Sequence, residues 1–303
     1  MTMQTKPPGL TAPLALTLCA ALTACGGSSG GSSNPGVQID ADNAATVILS
    51  VLMTREILPM SAMMATSMFS FLGAEEDCQN NGSLSTSGDL SGPPPPGSPI
   101  TLTATQCALS PEQDLEVLLD GALSISADTQ QESPSVLLFD YRNFSIEGSQ
   151  TSGANSLSTD ARANGVISLE MQNYTVPASN ISFSMTQTIN EDGQTQSYTF
   201  ALQTRDFSAI ERDDAGLGDL QHYDGGLRFS APLHINLAVT THEGIAYDCT
   251  AGDMTIEASN SSVNVRFHEG SALVTINGVQ QNFEDCSDFH DWLEASGALP
   301  IML

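Results

Sequence analysis

The residues able to do chemistry in this chain of 303 are numerous but poorly grouped. Its five histidines are His222, His234, His242, His268 and His290, and they form no His-Glu-x-x-His or His-x-His spacing. A ready-made pair of imidazoles on one helix turn or strand face is therefore missing. His242-Glu243 and His268-Glu269 read as surface polar pairs. There is no Gly-x-Ser-x-Gly elbow for a nucleophilic serine and no glycine-rich phosphate loop. Carboxylates are so abundant that no single acid/base pair stands out. The densest set of oxygen ligands is Asp213, Asp214, Asp219 and Asp224. Hard cations take several oxygens from a flexible loop, so calcium is one reading of this stretch. The spacing does not match the EF-hand loop, and a solvated acidic turn is the first reading. These observations lead to the expectation that the chain is not an enzyme.

One residue has a specific chemical context. Residues 1–24 read as an export signal: Lys6 is the cation of the n-region, Leu10 to Leu22 is apolar, and Thr23-Ala24 supplies small residues before a cut. Leu22-Thr23-Ala24-Cys25, followed by Gly26-Gly27-Ser28-Ser29-Gly30-Gly31-Ser32-Ser33, resembles the lipobox of bacterial lipoproteins. That resemblance implies that Cys25 becomes the new N-terminus and carries acyl chains such as palmitate on its thiol-linked glycerol and its amine. With Gly26 rather than Asp after it, the resemblance also implies the outer membrane. More than one acyl chain is what makes such anchoring stable, at roughly 0.8 kcal/mol per buried CH₂. Residues 25–38 are then a lipidated cysteine and a flexible tether. No cofactor beyond the covalent lipid is expected.

Of the other cysteines, Cys19 would leave with the signal. Cys78, Cys107, Cys249 and Cys286 remain, an even number that in an exported chain reads as two disulfides. Proximity favours Cys78–Cys107 with Cys249–Cys286. A metal centre is set aside because no Cys-x-x-Cys and no closely spaced Cys/His pair is evident.

Composition narrows the partners. Lys6 is the only lysine, so the processed chain carries seven arginines against 35 carboxylates, a net charge of −28. Such a surface repels nucleic acid and anionic headgroups. The missing lysine removes Schiff-base chemistry and phosphate-loop lysines. The membrane is then reached through the lipid alone, and an envelope protein, a glycan or a hydrophobic ligand remains as an open partner.

The elements that must position these residues divide into a helical and a β part. Residues 39–73 form an apolar, methionine-rich segment: a helix capped near Asp40 or Asp42 and running to Leu58, a break or kink at Pro59, and a second stretch from Met60 to Leu72. Thr46, Ser50 and Thr54 make a narrow polar stripe, and the rest calls for burial on nearly all sides. Three readings follow: a core plug under a sheet, a lid over an apolar ligand using Met60, Met63, Met64 and Met68, or a membrane-inserting hairpin.

Residues 74–303 alternate in short stretches between turn residues, giving eleven strand candidates from Ile100–Thr105 to Ala272–Ile276. Glu191-Asp192-Gly193-Gln194 reads as a hairpin turn, and Asp285–Glu294 as a short helix with Trp292 and Leu293 inward. Two weak repeats recur. One is a glycine followed by alternating apolar residues, at Gly121, Gly225 and Gly252, with a looser copy at Gly82. The other is a polar pair, an aromatic and a hydroxyl, at Arg142–Ser145, Gln172–Thr175 and Arg205–Ser208, each expected to end a strand.

The expected fold is mainly β: a large curved antiparallel sheet, or open barrel-like sheet, with an N-terminal apolar helix packed on its concave face. Residues 39–303 are expected to be one domain. The layout resembles a diffuse group of uncharacterised β-rich bacterial lipoproteins, which implies no particular activity. Its architecture is similar to that of periplasmic lipoprotein carriers and receptors. The functional expectation is an outer-membrane lipoprotein, periplasmic or surface-facing, with a non-enzymatic binding or structural role in the envelope. The alternatives are a carrier or sensor of a hydrophobic ligand between the methionine-rich helix and the sheet, then a carbohydrate-active enzyme.

Overall fold

The computed structural model describes residues 37–72, 78–88, 94, 98–112, 115–128, 135–152, 155–191, 193–214, 218–231 and 233–296. Side chains of 63–72, 110–112, 115, 152, 213–214 and 218–219 lie outside that description. Helix α1 (Ala44–Leu72) is followed by thirteen strands and helix α2 (Cys286–Ala295). The strands are β1 (Ser83–Ser87), β2 (Ile100–Glu112), β3 (Leu115–Ala127), β4 (Val136–Ser152), β5 (Asn155–Glu170), β6 (Thr175–Glu191) and β7 (Gln194–Asp214). Then come β8 (Gly218–Ala231), β9 (Ile235–Glu243), β10 (Ala251–Ala258), β11 (Ser261–His268), β12 (Ser271–Ile276) and β13 (Val279–Phe283). They form one antiparallel sheet in chain order, β1 to β13, which leaves β1 and β13 as its edges. The mainly β expectation holds, as do both disulfides: Cys78–Cys107 and Cys249–Cys286 have Cα atoms 5.1 and 5.6 Å apart. Each closes a loop worth about 3–4 kcal/mol in the chain-entropy model.

Alternation sets the two faces. In β10 and β11, Met254, Ile256, Val263 and Val265 are buried on one face, while Glu257 and Arg266 are exposed on the other. The apolar face of the sheet packs on α1. Residues Ala44, Val47, Ile48, Val51, Thr54, Leu58 and Ala62 are all 0 % exposed. At 100° per residue they form one stripe covering about a third of the helix. The opposite side, at Thr46, Ser50, Met53, Ile57 and Met60, is half-buried, and Glu56 is exposed. The helix is thus sunk in the sheet's groove with one flank near solvent.

Three details of the helical reading are corrected. Pro59 neither breaks the helix nor turns the chain, because α1 runs through it as one element of 29 residues. The hairpin reading falls with that. Proline removes one backbone donor, about 3 kcal/mol of intrinsic propensity, and burial of the surrounding stripe offsets it. Thr54 does not share the half-buried flank of Thr46 and Ser50: it sits in the core, with its hydroxyl donating to the Val51 carbonyl at 2.6 Å.

The chain enters the groove at the far end of the sheet. Ile39 N–H donates to Ser261 Oγ at 2.7 Å, and Asn277 Nδ2 donates to the Ile39 carbonyl at 2.8 Å. Farther along, Tyr141 Oη donates to the Ser61 carbonyl at 3.1 Å. Burial pushes the phenols of Tyr141 and Tyr223 far above their ordinary value. Unfolded tyrosine ionises near pH 10, so this stabilisation is complete below about pH 10 and is lost as the pH rises beyond it. Far-UV circular dichroism should therefore show alkaline unfolding setting in above about pH 10, and Tyr141→Phe should move its midpoint upward. An unmoved or lowered midpoint would show that Tyr141 does not set the limit.

Candidate functional site

The two repeats seen in the sequence turn out to be two halves of one device. Gly121 of β3 lies across from the bulge at Asn143 in β4, and Gly225 of β8 across from the bulge at Asp206 in β7. Asn143 and Asp206 adopt left-handed backbone, with φ of 49° and 47°. A Cβ on Gly121 would stand 2.2 Å from the Asn143 carbonyl oxygen, and one on Gly225 would stand 2.3 Å from that of Asp206. Both glycines also have positive φ, 90° and 118°. Only glycine allows this approach and this backbone together.

Side chains close each bulge. Gln106 N–H donates to Asp120 Oδ1 at 3.1 Å, Asn143 N–H to Asn164 Oδ1 at 3.0 Å, Asp206 N–H to Asn180 Oδ1 at 2.8 Å, and Thr241 N–H to Asp224 Oδ1 at 3.1 Å. The Gln106 amide holds the Asp120 carboxyl below its usual range. The result is a crease crossing β2 to β9, built from Asx side chains and glycines. The expectation that the polar–aromatic repeat ends each strand is therefore wrong for Asn143-Phe144 and Asp206-Phe207. They lie mid-strand, with Phe144 and Phe207 buried at 3 % and 0 % exposure. The third copy, at Asn173-Tyr174, sits in the turn before β6, and Tyr174 is 46 % exposed. The aromatics accordingly form no common binding face.

Two open grooves lie along the outward face, one on each side of the crease. One, of about 560 Å³, is lined by Glu116, Glu147, Asp160 and the hydroxyls of Ser149, Ser158 and Thr186 among others. The other, of about 600 Å³, holds Asp140 and Arg142. Arg162 pairs with Asp160 at 2.9 Å and Arg142 with Asp140 at 2.8 Å. Such exposed pairs contribute about 0–1 kcal/mol each. Both volumes fall in the range of small-molecule sites, yet both grooves are partly open rather than enclosed, and polar and apolar groups line them together. Inside, by contrast, the space beside Ser61 under α1 is about 20 Å³, room for about one water.

A polar junction anchors the middle of α1. Arg55 Nη2 meets Glu211 Oε2 of β7 at 2.6 Å, with side-chain exposures of 16 % and 20 %. Arg55 Nη1 donates to Tyr247 Oη at 3.2 Å, and the guanidinium carbon lies 5.9 Å from that ring's centre. Sequence reading missed this junction. Nothing local to Arg55 points to a partner 156 residues away.

The sequence-predicted sites fare unequally. Cys25 lies outside the described residues, and so do the side chains of Met63, Met64 and Met68; Met60 is half-buried on α1. The aspartates grouped as a calcium loop are instead spread along the β7–β8 hairpin. Asp213 pairs with Asp219, while Asp224 pairs with Ser208. Five residues of extended chain put Asp224 about 16 Å from Asp219, too far to share one ion, and its carboxylate serves the Thr241 amide. The side chains of Asp213, Asp214 and Asp219 lie outside the described residues. The expectation that no Cys/His pair is closely spaced is also corrected. Cys286 and His290 are one turn apart on α2, and with Cys249 their donor atoms lie within 4.8 Å of one another. The spacing Cys-x-x-x-His inside a predicted helix was the signal that could have found it. No family model, curated protein or solved structure matches this chain.

Proposed function

We propose that this protein is a lipid-anchored lipoprotein of the bacterial outer membrane, whose helix-filled sheet is a non-enzymatic binding or structural module of the cell envelope. The observation that carries the reading is the occupation of the groove by α1. A carrier needs apolar room between helix and sheet, and among the described residues the space beside Ser61 takes about one water. Function then falls to the outward face, which carries acidic side chains and is grooved on both sides of the crease. Ile39, fourteen residues after Cys25 in the sequence, is held at the groove entry by Ser261. Cys25→Ser tests the anchor. The variant should move from the membrane fraction to the soluble envelope fraction with its thermal midpoint unchanged, whereas unaltered membrane retention refutes the proposal.

A further inference from the structure

The C-terminal helix places an imidazole beside a disulfide, an arrangement the proposed envelope role does not use. The Sγ atoms of Cys249 and Cys286 and a ring nitrogen of His290 all lie within 4.8 Å of one another. Each donor is held by backbone. Asp285 caps α2 by accepting from Asp288 N–H at 2.9 Å, which fixes the start of the helix that carries Cys286 and His290. Cys249 sits in left-handed backbone at φ 58°, pinned where its amide donates to the Ala246 carbonyl and its carbonyl accepts from Gly270 N–H. Cys249 is buried, while Cys286 and His290 are half-buried, so an ion can reach the group from solvent.

We propose that, once the Cys249–Cys286 disulfide is reduced, Cys249, Cys286 and His290 bind one zinc ion, with water in the fourth position. Two thiolates and an imidazole are a borderline-soft donor set that suits Zn²⁺ far better than Ca²⁺. Zn–S and Zn–N lengths of about 2.3 and 2.0 Å give tetrahedral edges of about 3.5–3.8 Å. In the structure the two sulfurs are bonded to each other, so reduction must let them part to reach that edge, with a ring nitrogen of His290 already within 4.8 Å of both. The reductant is a dithiol, which cleaves the S–S bond and leaves as its own cyclic disulfide, giving two cysteine thiols. Zinc binding then displaces two protons to solvent, one from each thiol, and uses the lone pair of an imidazole nitrogen of His290, the Nε2 of which lies 3.4 Å from the Tyr247 carbonyl oxygen. The exposed acids Asp248, Asp291 and Glu294 nearby in sequence favour the approach of a cation.

The test takes the purified chain, reduces it with a phosphine, and titrates it with Co²⁺ and then Zn²⁺. The phosphine takes oxygen from water to become its oxide as the disulfide becomes two thiols. One Co²⁺ per chain should bind, with an intense thiolate charge-transfer band that Zn²⁺ displaces. Cys249→Ser should abolish the band, and His290→Ala should weaken binding by at least about tenfold. Replacing Cys78 and Cys107 together by Ser should leave it intact. Absence of the band, its survival in Cys249→Ser, or full affinity in His290→Ala overturns the proposal. Alkylation read by peptide mass spectrometry remains decisive even where reduction loosens the fold. With Zn²⁺ present, Cys249 and Cys286 should be protected and Cys78 and Cys107 modified; equal modification of all four overturns it.

Discussion

Gly121→Ala is expected to destabilise the domain by about 2–5 kcal/mol, against near-neutrality for Gly148→Ala. The two substitutions add the same methyl group to the same sheet. At Gly121 the new Cβ would meet the Asn143 carbonyl oxygen at 2.2 Å, on backbone whose φ is 90°. Alanine at positive φ costs about 1–2 kcal/mol before any clash, and relieving a backbone contact adds about 1–3 kcal/mol of overpacking. At Gly148 nothing lies within 4 Å of the added atom. Urea denaturation monitored by circular dichroism reads the contrast directly. The Gly121 variant should show a lowered midpoint with unchanged slope. Equal midpoints for the two variants would mean that the crease is not what requires glycine at 121.

The second large effect concerns α1. Val47→Asp places a carboxylate in the fully buried stripe, where Val47 is 0 % exposed and its neighbours one turn away on the helix, Asn43, Ala44, Ser50 and Val51, carry no charge. The loss combines about 1.5–3 kcal/mol of valine burial with several kcal/mol for an unpaired buried charge. Set against the roughly 5–15 kcal/mol that holds an ordinary domain together, that is enough to prevent native packing. The expected result is loss of near-UV circular dichroism and rapid proteolysis, while Glu56→Gln, on the exposed flank, stays native. If Val47→Asp keeps a native spectrum, the helix can leave the groove, and the filled-groove account fails with it.

These two predictions mark what was legible in the sequence and what was not. The switch from an apolar segment to alternating stretches gave the fold class, because periodicity reports burial on one face. The strands proved longer than expected, 17 residues in β4 and 21 in β7. Their bulges interrupt the alternation, so that Asn143 and Asp206 look like strand ends when only the local pattern is read. The short edge strands β1 and β13 escaped notice because Ser83–Ser87 and Val279–Phe283 bury almost nothing and carry no alternation. The disulfides followed from counting and proximity. The joining of a glycine on one strand to an Asx residue on the next did not, because register is a property of the sheet rather than of either segment. The same holds for the Arg55–Glu211 pair.

The electrostatic reading has a structural counterpart. The seven arginines are too few to balance the carboxylates, and those on the outward face spend themselves on local pairs such as Arg162–Asp160 and Arg266–Asp253. The remaining acids keep the face solvated, consistent with a domain held at a membrane by its lipid rather than by its surface.

Native mass spectrometry of the chain extracted from membranes in mild detergent is the sharpest test of an anchored domain whose groove is already filled. The expected species is a chain beginning at Cys25, carrying a covalent three-acyl adduct on that residue and two disulfides, with no further lipid bound. An unmodified Cys25, or a stoichiometric non-covalent lipid held by the folded domain, would overturn that picture.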